Sequence, residues 1–156
     1  MNLPRRGRLP HDVPAWVPEG SLFFITINCQ PRGRNQLARA GVGDAVLAAA
    51  AFNHTSLAWF CRILLLMPDH LHAILGFARE PGMKTVVKNW KKFLAGQQGI
   101  EWQRDFFDHR LRGHHEMTEN LDYILKNPVR RALVERAEDW PWLYRPDDRP
   151  PPQSGG

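Results

Sequence analysis

The apolar residues of this chain fall into runs of two kinds. Residues 21–29, 57–66 and 71–77 are nearly continuous in Phe, Ile, Leu and other strand-favouring residues, which predicts buried strands. The last two runs are separated only by a Met-Pro-Asp turn, so we expect them to form an antiparallel hairpin. Residues 83–94 instead repeat apolar side chains at helical spacing with lysines opposite, and residues 42–52 are rich in alanine. Both segments are predicted helices.

A fourth strand at residues 102–107 would complete the order strand, helix, strand, strand, helix, strand. This order predicts an α+β fold with a ferredoxin-like antiparallel sheet, βαββαβ. An additional C-terminal helix is expected outside that unit, at residues 115–126, and it carries Tyr123. Pro128 is expected to start a separate short helix over residues 129–137.

Length and composition predict one domain with two tails. The 156 residues suffice for one hydrophobic core. We expect a basic N-terminal arm at residues 1–20, the folded domain at 21–142, and a disordered proline-rich tail at 143–156 with little apolar content. No apolar run is long enough to span a membrane, and residues 1–10 lack the apolar segment of a secretory signal. A cytoplasmic protein without membrane contact is therefore expected.

Charge and cysteine content narrow the classes of function. The formal net charge is +5 and the isoelectric point is near 9.7, a balance that favours polyanions such as nucleic acid. Cys29 and Cys61 have no nearby partner in the sequence, which excludes a disulfide framework and a four-cysteine zinc site.

Two histidines carry the first candidate chemistry. His70 and His72 flank Leu71 at the start of a predicted strand, so both imidazoles project from one face of the sheet, near enough to share one metal ion. An isolated pair of this kind is more often two polar residues on a solvated strand. Here the hairpin is strongly apolar, and two buried imidazoles need partners. A metal-binding role and a solvated surface both remain open at this point.

The helix after the predicted sheet carries the second candidate. Tyr123 lies at the edge between the apolar side of this helix and its polar stripe, a position where tyrosine is usually a half-buried packing residue. Asn127, one turn later, either supplies an amide oxygen to a metal or caps the helix expected after Pro128. The spacing alone does not separate these two interpretations.

Three motifs together resemble a known family. MPDHLHAIL resembles the histidine, hydrophobic, histidine (HUH) motif of single-tyrosine transposases. WQRDFFDHRLR and YILKNPVRRALVERAEDWPW resemble the two later signatures of the REP-associated tyrosine transposase (RAYT) branch. The resemblance covers about residues 21–142. Asp69 stands where asparagine is frequent in the family, and Arg131 and Ala132 stand where small residues are usual.

The resemblance implies a metal-dependent transposase that cleaves and rejoins single-stranded DNA. His70 and His72 would bind Mg²⁺ or Mn²⁺, with Asn127 as a third ligand, and Tyr123 would form a covalent 5′-phosphotyrosine. The substrate implied is a DNA hairpin from a repeat. A protein with this substrate is expected to associate with the nucleoid in the cytoplasm. It is expected to act as a monomer or a homodimer. The cationic residues expected to contact DNA are Arg5, Arg6, Arg8, Lys84, Lys88, Lys91 and Lys92.

Two alternatives remain at the level of sequence. Another HUH nuclease, such as a replication initiator or relaxase, would use the same histidine pair and a tyrosine. A non-catalytic nucleic-acid-binding domain is the alternative from a different class, because ferredoxin-like sheets often bind RNA through exposed aromatic side chains. The chain contains no recognisable RNA-binding signature of that kind.

Overall fold

Five strands and three α-helices make up residues 13–146, the part of the chain that the computed structural model describes. Two short 3-10 helices lie near its ends, at Pro18–Gly20 and Ala137–Asp139. The main elements, in chain order, are β1 (Phe23–Asn28), α1 (Val42–Thr55), β2 (Phe60–Leu66), β3 (His70–Gly76), α2 (Met83–Gln98), β4 (Phe107–Arg110), α3 (Gly113–Arg130) and β5 (Leu143–Tyr144).

All five strands pair antiparallel in the order β4-β1-β3-β2-β5. The first four strands have the order of a ferredoxin-like sheet, so the predicted α+β fold is confirmed. β3 lies in the middle, and all seven of its residues are buried. The register places His72 opposite Thr26 of β1, and His70 opposite Asn28. The histidine strand is therefore covered on both edges by neighbouring strands.

The sheet has two differently covered faces. One face packs against α1 and α2 and contains most of the apolar core, including the fully buried Trp59. The other face packs against α3 through Met117 and Ile124. Alternation along β3 sends Leu71 to the α1/α2 face and both histidines to the α3 face. We call the latter the α3 face.

The fourth strand begins later than predicted. β4 spans Phe107–Arg110, not residues 102–107, and Trp102 makes only an isolated bridge with Cys29. The indole of Trp102 packs against the core and donates a 3.0 Å hydrogen bond to the carbonyl of Lys91. Because the Trp102 side chain packs against α2, regular strand pairing begins only five residues later, at Phe107.

The tyrosine helix is longer than predicted. α3 runs without a break from Gly113 to Arg130 and includes Pro128, where the sequence had suggested two helices. Proline lacks an N–H and disfavours a helix interior. Pro128 lies only two residues before the end of α3, however, and it is buried beside Asn127. Packing at the helix end outweighs the local preference of proline, so Asn127 is not an N-cap.

The folded part extends beyond both predicted domain boundaries. Val17 is 2% exposed and packs into the core on the α3 face, although residues 1–20 were expected to be an arm. Leu143 and Tyr144 form β5 against β2, although a disordered tail was expected from 143. The Trp140 indole also donates a 2.9 Å hydrogen bond to the Leu66 carbonyl. Apolar anchors therefore hold both ends to the sheet.

Some predictions fall on residues that are not described. Arg5, Arg6 and Arg8 lie outside the described residues, as do residues 147–156 of the expected tail. Within residues 13–146, none of the helices combines the length and the hydropathy that a membrane span requires.

Candidate active site on the α3 face

The two histidines form a buried pair on the α3 face. Their ring centroids are 4.9 Å apart, and their exposed fractions are 3% for His70 and 6% for His72. The predicted common face is confirmed, and the solvated-strand alternative is wrong. Imidazoles removed from water to this extent need polar partners. Each has one.

Asp69 is the partner of His70. Its Oδ1 lies 2.9 Å from Nδ1 of His70, and its Oδ2 accepts hydrogen bonds from Nε of Arg32 at 2.9 Å and the backbone N–H of Gly33 at 2.7 Å. Burial opposes ionisation, but these hydrogen bonds outweigh it and hold the pKa of Asp69 well below its usual range. An ionised carboxylate accepts the Nδ1 proton of His70. The lone pair of the imidazole is then on Nε2.

Thr26 plays the corresponding part for His72. Its Oγ1 lies 2.9 Å from Nδ1 of His72, across the β1–β3 pair. When the Nδ1 proton is donated to the hydroxyl, the lone pair of His72 is also on Nε2. This arrangement, with one ring nitrogen held by an oxygen and the other free, is typical of metal-binding histidines.

Both imidazoles favour the neutral form. Burial lowers the pKa of His70. It also lowers the pKa of His72 to about 3, with help from His70 when that ring is protonated and from the charge of Arg131. A neutral ring keeps a lone pair at neutral pH. This is the protonation state that metal coordination requires.

Tyr123 lies directly beside this pair in the same chain. Its ring centroid is 5.7 Å from that of His72, and the tyrosine is 43% exposed. The guanidinium of Arg130 lies 4.8 Å from the tyrosine ring centroid and donates a 3.1 Å hydrogen bond to the Tyr123 carbonyl. The predicted approach of the histidine strand to the tyrosine helix is thus confirmed, and the phenol is open to an incoming substrate.

Asn127 occupies a buried position one turn beyond Tyr123. It is 2% exposed, and its Nδ2 has no hydrogen-bond partner among the described residues. Residues four apart lie on the same side of a helix, so the amide lies on the side of α3 that carries the tyrosine. Rotating the amide by 180° would exchange Nδ2 for Oδ1 in the same place. An unsatisfied buried amide that can present oxygen fits a cation ligand.

The described residues do not contain a cluster of three His, Cys, Asp or Glu side chains suited to a metal. The two imidazoles and the amide oxygen of Asn127 stay the predicted ligand set at the α3 face. Such a mixed nitrogen and oxygen set suits Mg²⁺ or Mn²⁺ when substrate or water oxygens complete it.

The lysines of α2 lie elsewhere and divide into two groups. Lys84, Lys88 and Lys92 are exposed and line a cavity of about 650 Å³ with Trp102. Lys91 is buried, and its ammonium donates hydrogen bonds of 2.8 and 3.1 Å to the carbonyls of residues 103 and 104. Lys91 also lines this cavity, but its hydrogen bonds hold the loop before β4, and its contact with DNA stays a prediction.

Several residues of the site were not identified from sequence. Thr26 could not be found, because its position opposite His72 depends on strand register. Arg130 is seven residues after Tyr123, a helical spacing that would have pointed to it had the helix not been expected to end at 126. Asp69 was noted only as a departure from the family pattern, although a carboxylate beside a histidine suggests a partner. Phe24 also contacts both His72 and Tyr123.

Two known proteins are similar to this chain in sequence. A REP-associated tyrosine transposase of Escherichia coli is 26% identical over 133 residues, covering 80% of this chain and 76% of that protein. A Haemophilus influenzae protein provisionally named a REP-associated tyrosine transposase is 26% identical over 145 residues, covering 80% of this chain and 79% of that protein. No protein-family model matches the chain.

A solved structure extends the agreement to the fold. A REP-associated tyrosine transposase bound to a REP hairpin superimposes with a TM-score of 0.69 and 23% identity, covering 92% of this chain and 82% of that one. The resemblance inferred from the three motifs is confirmed. In sequence this chain is similar to the REP-associated tyrosine transposases, and its fold is similar to that of the solved one.

Proposed function

We propose that this protein is a transposase that cleaves and rejoins single-stranded DNA with Tyr123 as the nucleophile. One observation carries the proposal. The ring centroid of Tyr123 lies 5.7 Å from that of His72. His72 belongs to a pair of buried imidazoles whose Nδ1 atoms are hydrogen-bonded, which leaves the lone pairs of both Nε2 atoms to bind a metal. A surface that only bound DNA would not need this arrangement, since buried imidazoles are costly.

The residues that would hold the metal are His70 and His72 through Nε2 and Asn127 through Oδ1. A bound Mg²⁺ or Mn²⁺ would polarise a non-bridging phosphate oxygen and stabilise its developing charge. The chain's own contribution is to orient the donors, because Asp69 and Thr26 hold the two rings in place.

The chemical step balances without an external energy source. The phenolic oxygen of Tyr123 would form a bond to phosphorus while the bond from phosphorus to the 3′ oxygen breaks. The phenolic proton is released to solvent, and the departing 3′ oxygen takes up a proton. The product is a 5′-phosphotyrosine and a free 3′-hydroxyl, and attack by a second 3′-hydroxyl would reverse the step and rejoin DNA. Arg130 would keep positive charge beside the phenol throughout.

The substrate that we propose is a DNA hairpin with unpaired flanking nucleotides. Support comes from the net charge of +5 and from the relative whose solved structure contains a REP hairpin. Lys84, Lys88 and Lys92 would contact phosphates along the exposed side of α2. The arginines of the N-terminal arm stay as predicted contacts.

We further propose that one chain suffices for cleavage. His70, His72 and Tyr123 meet within a single chain, so a second copy is not needed to complete the site. A protein acting on chromosomal repeats would lie with the nucleoid in the cytoplasm.

Covalent capture tests the proposed function. Purified protein would be incubated with a labelled single-stranded hairpin and Mn²⁺, and the labelled protein would be separated under denaturing conditions. We expect a labelled adduct with the wild type and with Tyr144→Phe, and none with Tyr123→Phe. Tyr144 is the matched control because it is the other tyrosine of the chain.

An adduct that persists in Tyr123→Phe would contradict the assignment of the nucleophile. Hairpin binding without an adduct in the wild type, across a panel of hairpins, would favour the non-catalytic alternative. Normal cleavage by His70→Ala would contradict the proposed metal site while leaving Tyr123 in place.

A further inference from the structure

Phe107 is an exposed aromatic residue beside the candidate active site. It is the first residue of β4, at the edge of the sheet, and it is 56% exposed. A single exposed apolar side chain is common on protein surfaces and needs no function. The neighbours of Phe107 distinguish it from the exposed phenylalanines on α1 and α2.

The sheet register aligns Phe107 with His72 of β3. Phe107 pairs with Thr26, and Thr26 pairs with His72, so the three residues form one row across β4, β1 and β3. Paired residues project to the same face, which here is the α3 face. Two strand spacings separate the backbones of Phe107 and His72 by roughly 10 Å. A nucleotide adjoining a phosphate held at His72 would therefore reach Phe107.

Phe24 joins the exposed rings into one cluster. Its ring stacks on His72 at 5.3 Å and meets the Phe107 ring at 6.4 Å and the Tyr123 ring at 6.1 Å, both edge to face. Phe107 and Tyr123 thus rest on the same half-buried side chain. The nucleophile and the exposed ring are held by a common support, so they keep a defined separation.

The charge around Phe107 is compatible with a nucleic-acid strand. The guanidinium of Arg130 lies 4.8 Å from the ring centroid of Tyr123. The acidic Glu116 is already engaged by His109 at 2.8 Å and by a backbone N–H. Asp108 lines the lysine cavity on the other side of β4. Glu116 is thus engaged, and Asp108 points away from the exposed ring.

We propose that Phe107 is a stacking platform for an unpaired nucleobase that flanks the cleaved phosphate. The inference rests on the proposed function, because it takes the phosphate to lie at His72 and Tyr123. Aromatic side chains bind single strands by stacking on bases, with little dependence on the base. Phe107 would hold the strand in register with the nucleophile and would not take part in bond exchange. It is a positioning residue.

Fluorescence of 2-aminopurine tests the stacking directly. Hairpins carrying 2-aminopurine at successive unpaired flanking positions would be bound to Tyr123→Phe protein, which does not cleave. We expect quenching at one position, its loss in Tyr123→Phe with Phe107→Leu, and its retention with Phe107→Trp. Phe93→Leu is the matched control, since Phe93 is 55% exposed but lies on α2.

Cleavage provides the second measurement. On the Tyr123 protein, Phe107→Leu should lower the rate about tenfold or more on a hairpin with the stacked base, and Phe93→Leu should not. Replacing that base by an abasic nucleotide should slow the wild type to the rate of Phe107→Leu and leave the variant unaffected. A purely structural role of Phe107 would not depend on the base.

The inference would be overturned if no flanking position were quenched, or if Phe107→Leu quenched and cleaved like Phe93→Leu. Failure of the proposed function gives a different result. In that case the wild type forms no adduct with any hairpin, while the quenching measurement on Tyr123→Phe still reports whether a base stacks on Phe107.

Discussion

Oδ1 of Asp69 lies 2.9 Å from Nδ1 of His70, and Arg32 holds the other oxygen of the same carboxylate at 2.9 Å. The pair is adjacent in sequence, yet its geometry depends on a residue from the loop after β1. A metal-binding histidine oriented by a carboxylate usually loses 10- to 100-fold in metal affinity when that partner is removed. Asp69 is therefore a testable part of the site.

Asp69→Ala should weaken Mn²⁺ binding by about 10- to 100-fold, because the His70 ring loses the acceptor that orients it. Asp69→Asn should retain more affinity, since its amide oxygen can still accept the Nδ1 proton. Titration calorimetry without DNA would measure both. Asp122→Ala is a suitable control, because Asp122 is exposed and pairs only with Lys126 among the ion pairs found in residues 13–146. Equal affinity for wild type and Asp69→Ala would refute the orienting role.

Asn127→Leu should separate stability from metal binding. The substitution removes a buried amide nitrogen that has no partner among the described residues, so the free energy of unfolding without metal should stay constant or rise by about 1 kcal/mol. Mn²⁺ affinity should fall, because the amide oxygen is lost. Denaturant unfolding with a chelator would give the first quantity and calorimetry the second. Unchanged Mn²⁺ affinity would show that Asn127 is not a ligand.

The buried His72 should make the fold sensitive to acid. Its pKa falls from the usual 6.5 to about 3 in the folded state because burial, the charge of His70 and that of Arg131 disfavour the imidazolium. Between these values the unfolded chain binds more protons, so stability is full above pH 6.5 and is lost as the pH falls toward 3. His72 alone should lower the free energy of unfolding by about 1 kcal/mol between pH 7.5 and 5.5.

Denaturant unfolding in the presence of a chelator would measure this loss. His72→Gln should lack that component, whereas His115→Gln should keep the wild-type pH dependence, since the side chain of His115 is 88% exposed. A His72→Gln protein with the same slope against pH as the wild type would contradict the assignment.

The lysines of α2 should differ in what they affect. Lys91→Met should cost about 1 to 3 kcal/mol of stability, because the carbonyls of residues 103 and 104 lose a buried donor. Lys88→Met should leave the free energy of unfolding nearly unchanged. It should reduce the slope of log affinity for the hairpin against log salt concentration by about 1. Thermal unfolding and binding at several salt concentrations would show the contrast. Similar effects of both substitutions on both quantities would argue against this division.

Much of the architecture followed from local patterns. Continuous apolar runs, a Met-Pro-Asp turn and the helical spacing of residues 83–94 led to the correct order of the elements from β1 to β4, since each pattern reflects burial of one face or one stripe. The alternation at His70 and His72 placed both imidazoles on one face, because successive strand residues point to opposite sides. These features depend on neighbours in sequence, so the sequence by itself determined them.

The assembly of the site was decided by tertiary structure. Thr26 reaches His72 only through the β1–β3 register, and Tyr123 reaches it only because α3 packs across the same face. Sequence separation hides such contacts, since no local pattern records which distant residue lies opposite. The motif resemblance linked the histidines to the tyrosine, but it did not supply their distance.

Tertiary packing also overruled local preferences at three places. Pro128 stays within α3, which buries Asn127 and ends its interpretation as a cap. Trp102 packs into the core, so β4 begins later than predicted. The loop that follows Trp102 accepts hydrogen bonds from Lys91. Propensities and charge patterns describe a residue in its own segment, whereas burial against another segment contributes more free energy and sets the final position. The sequence thus determined the elements and the candidate chemistry, and the packing of α3 on the sheet decided that they form one site.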